Sequence, residues 1–392
     1  MRKLSDLDLR EKAVFLRVDF NVPLDKNLEI TSDERIKAGL PTLNYLLEQG
    51  AKVVAATHLG RPKGQILPKF SLKPVAERLA RRLSREVILA PDVIGTRVDK
   101  LKSDLLSGQI LLLENLRFYT EETSNDRDFA RELAKEIDYY VNDAFGACHR
   151  AHASVVAITE FVKKAAAGFL VEKEVKSLNK IIHNPEKPFV AILGGAKVSD
   201  KIPVIENLLT KADDILIGGA MAYTFFAAQG HGVGQSLVEK DRFELANQIL
   251  IKAREKGVNF QLPQDHIVAE SMDENATVKI LDSFPIPSEL MALDIGPKTV
   301  KAYSDIIHRA KTVLWNGPMG VFEIDSFARG TTQIAKAVAA SESLSIIGGG
   351  DSVSAVHKAG VSEHISHIST GGGASLEYIA KESLPGIEVL SE

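Results

Sequence analysis

Four arginines in the first half of the chain lie near the predicted ends of apolar strands. Arg61 follows His58 after the segment KVVAAT, Arg117 follows QILLL, and Arg150 follows DYYV, while Arg35 is expected in the first turn of a helix after VFLRV. Guanidinium groups bind carboxylate and phosphate oxygens through paired hydrogen bonds. Because ligands of parallel α/β sheets bind beyond the carboxyl ends of the strands, the arginines together predict a site for a small, highly anionic molecule.

Polar residues near the same strand ends would orient such a ligand. His58, Asp19 and Asn21 supply directional hydrogen bonds for a ligand that carries a hydroxyl group. Any one of the arginines is explained more simply as a surface ion-pair partner, and Asp19 alone is equally consistent with an anchor for its turn. The combination of four arginines with a histidine favours a binding site.

The second half of the chain has glycines where the first half has arginines. Glycine-rich segments follow apolar strands at GGAKVSDK (194–201) and GGGDS (348–352), and a third lies at STGGGAS (369–375). Glycine lets the backbone approach a phosphate closely, and the N-terminus of a following helix attracts anions. These segments therefore predict a phosphate-binding surface. They match neither the G-x-x-x-x-G-K-[ST] loop nor the G-x-G-x-x-G fingerprint.

Four charged residues near these glycines have two interpretations each. Lys197 and Lys201, four residues apart, either share one helical face and bind phosphates or are solvated lysines beside a packing turn. Asp351 either binds a nucleotide-bound Mg²⁺ or caps the following helix, and the two roles are compatible. Glu323 is equally consistent with a contact to a ribose and with an exposed loop acid.

The motifs of covalent and metal-dependent hydrolytic catalysis are not visible in the sequence. We find no Ser/His/Asp or Cys/His nucleophile motif, no H-E-x-x-H motif and no cysteine cluster. Phosphoryl transfer depends on positioning and charge stabilisation rather than on covalent help from the protein. A carboxylate acceptor is ionised at neutral pH and needs no general base. Arginines, lysines, glycine amides and one Mg²⁺ are sufficient for such a transfer.

Strand-like segments alternate with helix-like segments along the chain, a pattern typical of βαβ units and parallel sheets. We predict an α/β fold of two Rossmann-like domains, each a mostly parallel sheet flanked by helices, joined by a helix. The predicted parts are an N-terminal domain (1–169), a connecting helix (170–184), a C-terminal domain (185–377) and a tail (378–392). Thr31 and Glu34 have capping-box spacing and predict a helix start, and Pro41 is expected to interrupt that helix.

Length and composition exclude several classes of protein. With 392 residues, 45% of them hydrophobic and 26% charged, the chain is expected to form two ordinary globular domains. A net charge of −4 argues against nucleic acid as the main partner. Cys148 is the single cysteine, so no intrachain disulfide can form. The first residues lack the apolar stretch of a signal peptide and no apolar run is long enough to cross a membrane, which favours a cytoplasmic protein.

Taken together, these motifs resemble those of the phosphoglycerate kinase family. The resemblance runs in collinear order over nearly the whole chain, through RVDFNVP (17–23), THLGRPKG (57–64), LLLENLRF (111–118), VNDAFGACHRAH (141–152), GGAKVSDKI (194–202), LWNGPMGVFE (314–323), IGGGDS (347–352) and STGGGASLE (369–377). It implies a reversible phosphoryl transfer between 1,3-bisphosphoglycerate with ADP and 3-phosphoglycerate with ATP, with Mg²⁺.

The resemblance also implies a role for each matching residue. The phosphoglycerate would be held by Asp19, Asn21, Arg35, His58, Arg61, Arg117 and Arg150. The nucleotide would be held by Lys201, Glu323, Gly349, Gly350, Asp351 and Ser352, with Asp351 on the metal. The phosphoryl group in transfer would be stabilised by Arg35, Lys197, Gly371 and Gly372.

Further expectations concern the whole molecule. The family is a two-domain monomer whose C-terminal tail packs on the N-terminal domain, and LPGIEVL (384–390) fits such a tail. We expect a hinge motion to bring the two substrates together. Cys148 stands where the family usually has a small residue, so a thiol sensitive to alkylation is one hypothesis. Ala220 replaces a glycine that many members have, with little expected effect.

Two other functions fit parts of the pattern. An NAD-dependent dehydrogenase would have two α/β domains with glycine turns, but the dinucleotide fingerprint is missing. A non-catalytic, two-lobed anion-binding protein would close on its ligand, but it would need only one glycine-rich phosphate turn. Both are retained as alternatives to the kinase.

Overall fold

The computed structural model of the chain describes residues 1–391. Its contacts divide into two compact units, Met1–Lys176 with Ser383–Glu392, and Ser177–Glu382. The strands are β1 (Ala13–Val18), β2 (Lys52–Ala56), β3 (Ile88–Leu89), β4 (Ile110–Leu112), β5 (Tyr139–Asp143), β6 (Lys164–Ala167), β7 (Phe189–Leu193), β8 (Asp214–Ile217), β9 (Asn259–Gln261), β10 (His266–Ala269), β11 (Lys279–Leu281), β12 (Met291–Ile295), β13 (Thr312–Asn316), β14 (Leu344–Gly348) and β15 (His367–Ile368).

Helices separate most of the strands. They are α1 (Glu34–Glu48), α2 (Lys73–Leu83), α3 (Thr96–Asp104), α4 (Thr120–Thr123), α5 (Arg127–Ala134), α6 (Phe169–Ile182), α7 (Ile202–Leu208), α8 (Met221–Ala228), α9 (Phe243–Glu255), α10 (Pro297–Ile307), α11 (Arg329–Ala340), α12 (Gly350–Lys358), α13 (Gly373–Lys381) and α14 (Pro385–Glu388). Within residues 1–391, we find no helix with the length and apolar character that a membrane crossing requires.

The first unit is built on a six-stranded parallel sheet of order β3-β4-β2-β1-β5-β6. Alternate residues such as Leu16, Val53 and Val141 are buried on one face, where they pack with apolar residues of α1 and α2. The chain passes from β1 to β2 on one side, and β5 lies on the other side of β1. The strand order therefore changes direction at β1. Ligands of parallel sheets bind at such points, so the carboxyl ends of β1, β2 and β5 mark the candidate site of this unit.

The second unit contains another six-stranded parallel sheet, of order β15-β14-β13-β7-β8-β9. Strands β7 and β13 are neighbours at its centre, and the strands that follow each of them lie on opposite sides. The fold prediction of two α/β domains with parallel sheets, joined by a helix, is confirmed. The sequence did not reveal the small antiparallel sheet β11-β10-β12, in which the edge strand β11 is only three residues long.

The start of α1 differs from the prediction. The residue before the helix is Asp33, not Thr31, and its carboxylate accepts hydrogen bonds from Arg78 and Arg82 of α2. Arg35 lies in the first turn, as expected. The helix runs through Pro41 without interruption, because its buried leucines pack into the core and packing outweighs the one hydrogen bond that proline removes.

The C-terminal segment packs within the first unit. Leu384 and Leu390 are fully buried, and the main chain is paired at both ends of the segment. The Gly386 N–H donates to the Cys148 carbonyl at 2.9 Å, and the Arg2 N–H donates to the Leu390 carbonyl at 2.9 Å. This segment therefore contributes directly to the core of the first unit.

We expect Leu384→Ala to lower the free energy of unfolding by about 2–5 kcal/mol, because it opens a cavity in a fully buried position. Leu106→Ala is the matched control, since the Leu106 side chain is 64% exposed and its loss leaves no cavity. Urea titration followed by circular dichroism measures both variants. Equal stability of the two variants would show that the C-terminal segment does not support the fold.

Candidate active site

Arg61, Arg117 and Arg150 line one cleft of about 390 Å³ in the first unit, here called the arginine basin. They follow β2, β4 and β5, so parallel pairing brings them to the same sheet edge. The Arg117 Nη1 donates to the Gly60 carbonyl at 2.9 Å, which fixes its side chain. Burial and the neighbouring charges of Arg17 and Arg150 lower the pKa of Arg117 to about 10, so the basin remains cationic at neutral pH.

Hydrogen bonds connect other predicted residues of this unit to the arginine basin. Arg35 donates to the Asp19 carboxylate, and the Asn21 Oδ1 accepts the Gly60 N–H at 2.8 Å. The Asp19 carboxylate also accepts the Asn21 N–H at 3.4 Å, so Asp19 anchors its own turn as well as pairing with Arg35. Hydrogen bonds thus link Asp19, Asn21 and Arg35 to Gly60, whose carbonyl also accepts from Arg117.

His58 is buried next to these cations. Burial, followed by the charges of Arg17, Arg117 and Arg35, lowers the pKa of His58 well below its usual value. The imidazole is therefore neutral at physiological pH. Sequence reasoning missed Arg17, which is 1% exposed and contacts His58. The feature of the sequence that could have identified it is the presence of an arginine inside the otherwise apolar segment VFLRV.

A second cleft, of about 350 Å³, lies at the carboxyl ends of β7, β13 and β14 in the second unit. It is lined by Gly194, Gly195, Ala196, Lys197, Asp200, Lys201, Asn316, Gly317, Pro318, Gly349, Gly350, Asp351, Ser352, Gly372, Gly373 and Leu376. Gly349, with φ of +89°, precedes α12 and directs its first turn at the cleft. The free N–H groups of such a turn attract anions. We call this the glycine cleft.

The two lysines of the glycine cleft do not share one helical face, which was one of the two interpretations of their spacing. Residues 194–201 form an irregular loop because Gly195 has φ of +105°, and α7 begins only after Lys201. Both side chains nevertheless reach the cleft. Lys197 is exposed, whereas burial lowers the pKa of Lys201 to about 8 against the opposing charges of Asp200 and Asp351. Lys201 donates to the Asn316 Oδ1.

Asn316 was not predicted as a site residue. It is 2% exposed, and its Nδ2 has no hydrogen-bond partner within residues 1–391. A Cβ at position 349 would lie 2.8 Å from that Nδ2, so only a glycine leaves room for the Asn316 amide at this position. The signal in the sequence was a polar residue that ends the apolar strand TVLWN.

The remaining glycines and Ser352 differ in their access to the cleft. Gly372, with φ of +55°, lines it. Gly371 is buried, and its N–H donates to the Ser369 Oγ at 3.2 Å. Ser352 is also buried, and its Oγ accepts the Gly317 N–H at 2.5 Å. Ser352 therefore stabilises the turn that follows β13.

An apolar pocket of about 580 Å³ adjoins the glycine cleft and shares with it Gly195, Ala196, Pro318 and Asp351. It is lined further by Gly219, Ala220, Gln235, Leu237, Met272, Met291, Ala292, Leu293, Gly320, Val321, Glu323 and Ile324. Such a pocket beside an anion site fits a flat, apolar ring attached to phosphates. Sequence reasoning missed its apolar residues, although it had singled out Glu323, which is exposed at the pocket.

Comparison with known proteins agrees with this geometry. Residues 4–382 match the family model of phosphoglycerate kinase. The chain belongs to the phosphoglycerate kinase family. It is 57% identical to the phosphoglycerate kinase of Koribacter versatilis and 54% identical to that of Geobacter metallireducens, with 100% of this chain covered in both cases and 100% and 99% of the relatives.

Solved structures show the same relationship. The phosphoglycerate kinase of Coxiella burnetii matches with a TM-score of 0.90 at 40% identity, covering 99% of this chain and 98% of that one. The enzyme of Pyrococcus horikoshii matches with a TM-score of 0.86 at 36% identity, covering 100% and 98%. The chain is thus a phosphotransferase that uses ATP and ADP as co-substrates, and the dehydrogenase and binding-protein alternatives are set aside.

The residues of the glycine cleft fit a magnesium ion that would be held mainly by a nucleotide. The described residues contain no group of three or more His, Cys, Asp or Glu side chains that could hold a metal by themselves. Asp351 is exposed at the junction of the glycine cleft and the apolar pocket. One such carboxylate is a common protein contribution where phosphates supply further oxygens.

Cys148 does not have the environment of a reactive thiol. It is fully buried, and burial raises the pKa of the thiol to about 12. A thiol that stays protonated and inaccessible reacts slowly with alkylating agents. The hypothesis that this residue makes the enzyme sensitive to alkylation is therefore not supported.

We expect Gly349→Ala to raise the KM for ATP at least tenfold, because the new methyl group meets the Asn316 amide and distorts the turn before α12. Gly360→Ala is the matched control: Gly360 also has a positive φ, of +69°, but a Cβ there meets nothing within 4 Å. Both variants should lose about 1 kcal/mol of stability or more from backbone strain. Steady-state kinetics with varied ATP distinguishes them, and an unchanged KM in Gly349→Ala would contradict this role.

Proposed function

We propose that the first unit binds phosphoglycerate through the arginine basin and the residues tied to it. Arg61, Arg117 and Arg150 bind the phosphate, and the other contacts come from Asp19, Asn21, Arg35 and His58. Three guanidinium groups on one cleft support this assignment, because a doubly charged phosphate is the ligand that offsets their mutual repulsion. The hydroxyl and carboxylate of the ligand then face the turn after β1.

We propose that the second unit binds the nucleotide. Its phosphates lie in the glycine cleft against Lys201 and the turn formed by Gly349, Gly350, Asp351 and Ser352. The base enters the apolar pocket, and Glu323 accepts hydrogen bonds from the ribose. Asp351 would hold Mg²⁺, which when bound neutralises phosphate charge. The continuity of cleft and pocket through four shared residues supports this arrangement.

Transfer itself needs only positioning and charge stabilisation. We propose that Arg35, Lys197 and the main chain at Gly371 and Gly372 stabilise the phosphoryl group as it moves. Lys197 is exposed on the glycine cleft, so its ammonium group is available to the transferring oxygens. Because the acceptor carboxylate is ionised, no residue is required as a base.

We propose that the substrates meet by closure of a phosphoglycerate-binding domain (1–169, with the tail 378–392) and a nucleotide-binding domain (185–377) about the segment 170–184. Closure would exclude water and so limit hydrolysis of ATP. The passage of the chain from one unit to the other within α6 supports a hinge there. We further propose a cytoplasmic monomer that does not bind nucleic acid, consistent with its net charge of −4.

The observation that carries the proposal is the presence of a guanidinium-lined cleft in one unit and of an amide-lined cleft in the other. A coupled assay with ATP, Mg²⁺ and 3-phosphoglycerate tests it directly. Formation of ADP should require all three components. ADP formation that is independent of 3-phosphoglycerate would indicate hydrolysis and contradict the proposal.

We expect Lys197→Ala to lower kcat about a hundredfold or more, because one charge-stabilising donor is lost from the transition state. Lys256→Ala serves as the control, since Lys256 is exposed at the end of α9 and does not line either cleft. The same coupled assay measures both. A normal kcat in Lys197→Ala would remove this lysine from the catalytic residues.

We expect Arg61→Ala to raise the KM for 3-phosphoglycerate roughly tenfold or more, because a charge-assisted hydrogen bond to the phosphate is lost. The KM for ATP should change little, since Arg61 belongs to the first unit. Arg127→Ala, an exposed arginine of the same unit outside the basin, is the control. An increase confined to the KM for ATP would reverse the assignment of the two units.

A further inference from the structure

A buried chain of hydrogen bonds lies next to His58 in the first unit. Arg17 donates from Nε to the Ser154 Oγ at 2.9 Å. Ser154 donates in turn from Oγ to the Glu122 Oε1 at 2.6 Å, and its N–H donates to Oε2 at 2.9 Å. Arg17, Ser154 and Glu122 are each 1% exposed or less. A buried guanidinium and a buried carboxylate are thus joined through one hydroxyl group.

The other end of Arg17 meets the imidazole. Its Nη2 lies 3.2 Å from the Nδ1 of His58, and its Nη1 donates to the Val18 carbonyl. A guanidinium group has five N–H donors and no acceptor, and it does not lose its proton in proteins. Nδ1 of His58 must therefore accept. A proton on Nδ1 would place two N–H groups against each other at this distance.

We infer that Arg17 is a positioning residue, which holds His58 as the neutral tautomer that carries its proton on Nε2. His58 then has one N–H group left to donate, and it presents that donor to an anionic ligand. That this ligand is phosphoglycerate rests on the proposed function above. The tautomer itself is a property of the free enzyme.

The series of hydrogen bonds that ends at Glu122 explains why the Arg17 side chain is fixed. All three of its nitrogens have partners, so the guanidinium plane cannot rotate away from the imidazole. The carboxylate of Glu122 supplies the opposite charge that a buried cation needs. In a neutral histidine, the hydrogen bond that one ring nitrogen makes determines which of the two nitrogens is protonated.

Nuclear magnetic resonance of the enzyme with ¹⁵N-labelled histidine tests the tautomer. Long-range ¹H–¹⁵N spectra from pH 6 to 8 should show a protonated Nε2 and an unprotonated Nδ1 for His58, with the signals assigned by their loss in His58→Gln. At pH 8, His308 is an internal reference for the opposite tautomer, because its Nδ1 lies 2.6 Å from the Ser304 carbonyl, which can only accept. A proton on Nδ1 of His58 in this range would overturn the inference.

Variants test the part played by Arg17. Arg17→Met removes the donor, so the His58 signals should move to values averaged between the two tautomers. Ser154→Ala removes the partner of the Arg17 Nε but keeps the guanidinium group, so the His58 signals should move in the same direction as in Arg17→Met, by a smaller amount. A fixed Nε2–H tautomer in folded Arg17→Met would show that another group sets it. If that variant does not fold, the wild-type spectrum remains decisive for the tautomer.

Kinetics separates this inference from the proposed function. His58→Gln keeps an N–H donor near the position of Nε2, whereas His58→Leu removes it. We expect the KM for 3-phosphoglycerate to change little in the first variant and to rise roughly tenfold to a hundredfold in the second, with a smaller effect on kcat. An unchanged KM in His58→Leu with an Nε2–H spectrum would refute the phosphoglycerate contact and leave the tautomer established. Equal increases in both variants would show that an N–H donor at Nε2 is not what binds the ligand.

Discussion

Like charges held close together at the edge of a parallel sheet are the constraint on which the first unit depends. Arg61, Arg117 and Arg150 share one cleft, and the pKa of Arg117 is lowered by burial and by the charges of Arg17 and Arg150. Carboxylates hold the surrounding cations in place: Asp19 pairs with Arg35, and Glu122 compensates Arg17 through a serine. In the proposed function, an anion bound in the basin would offset the repulsion among these three arginines.

The second unit differs, since we propose that its glycine cleft binds phosphates with main-chain amides rather than with a cluster of like charges. Such a surface requires that the backbone come close to the ligand and that some residues have a left-handed backbone conformation, which glycine adopts without strain. Gly349 and Gly195 meet this need at positive φ. The charged groups there are few and of both signs, with Lys197 and Lys201 near Asp351. The glycine cleft therefore lacks the strong repulsion between like charges that is found in the first unit.

Much of this organisation was predictable because the signals are local. Apolar runs predicted the central strands of both sheets, and the polar or glycine-rich residues after them predicted which strand ends carry chemistry. Predictions that depended on packing were less reliable. Pro41 was expected to interrupt a helix that core contacts preserve, and the helical face considered for Lys197 does not exist because the helix begins only at residue 202. The short edge strands and the antiparallel sheet have too few residues for a clear periodic pattern.

By itself, the sequence determined the types of chemistry present: guanidinium groups, glycine turns, the order of strands and helices along the chain, and the family to which these motifs belong. The tertiary structure decided which residues share a cavity and which are buried. Arg17, Asn316 and the apolar pocket became visible only there, and Cys148 proved inaccessible. The reason is physical: strand pairing joins residues more than a hundred positions apart, and the charge state and reach of each side chain depend on the neighbours that this pairing supplies.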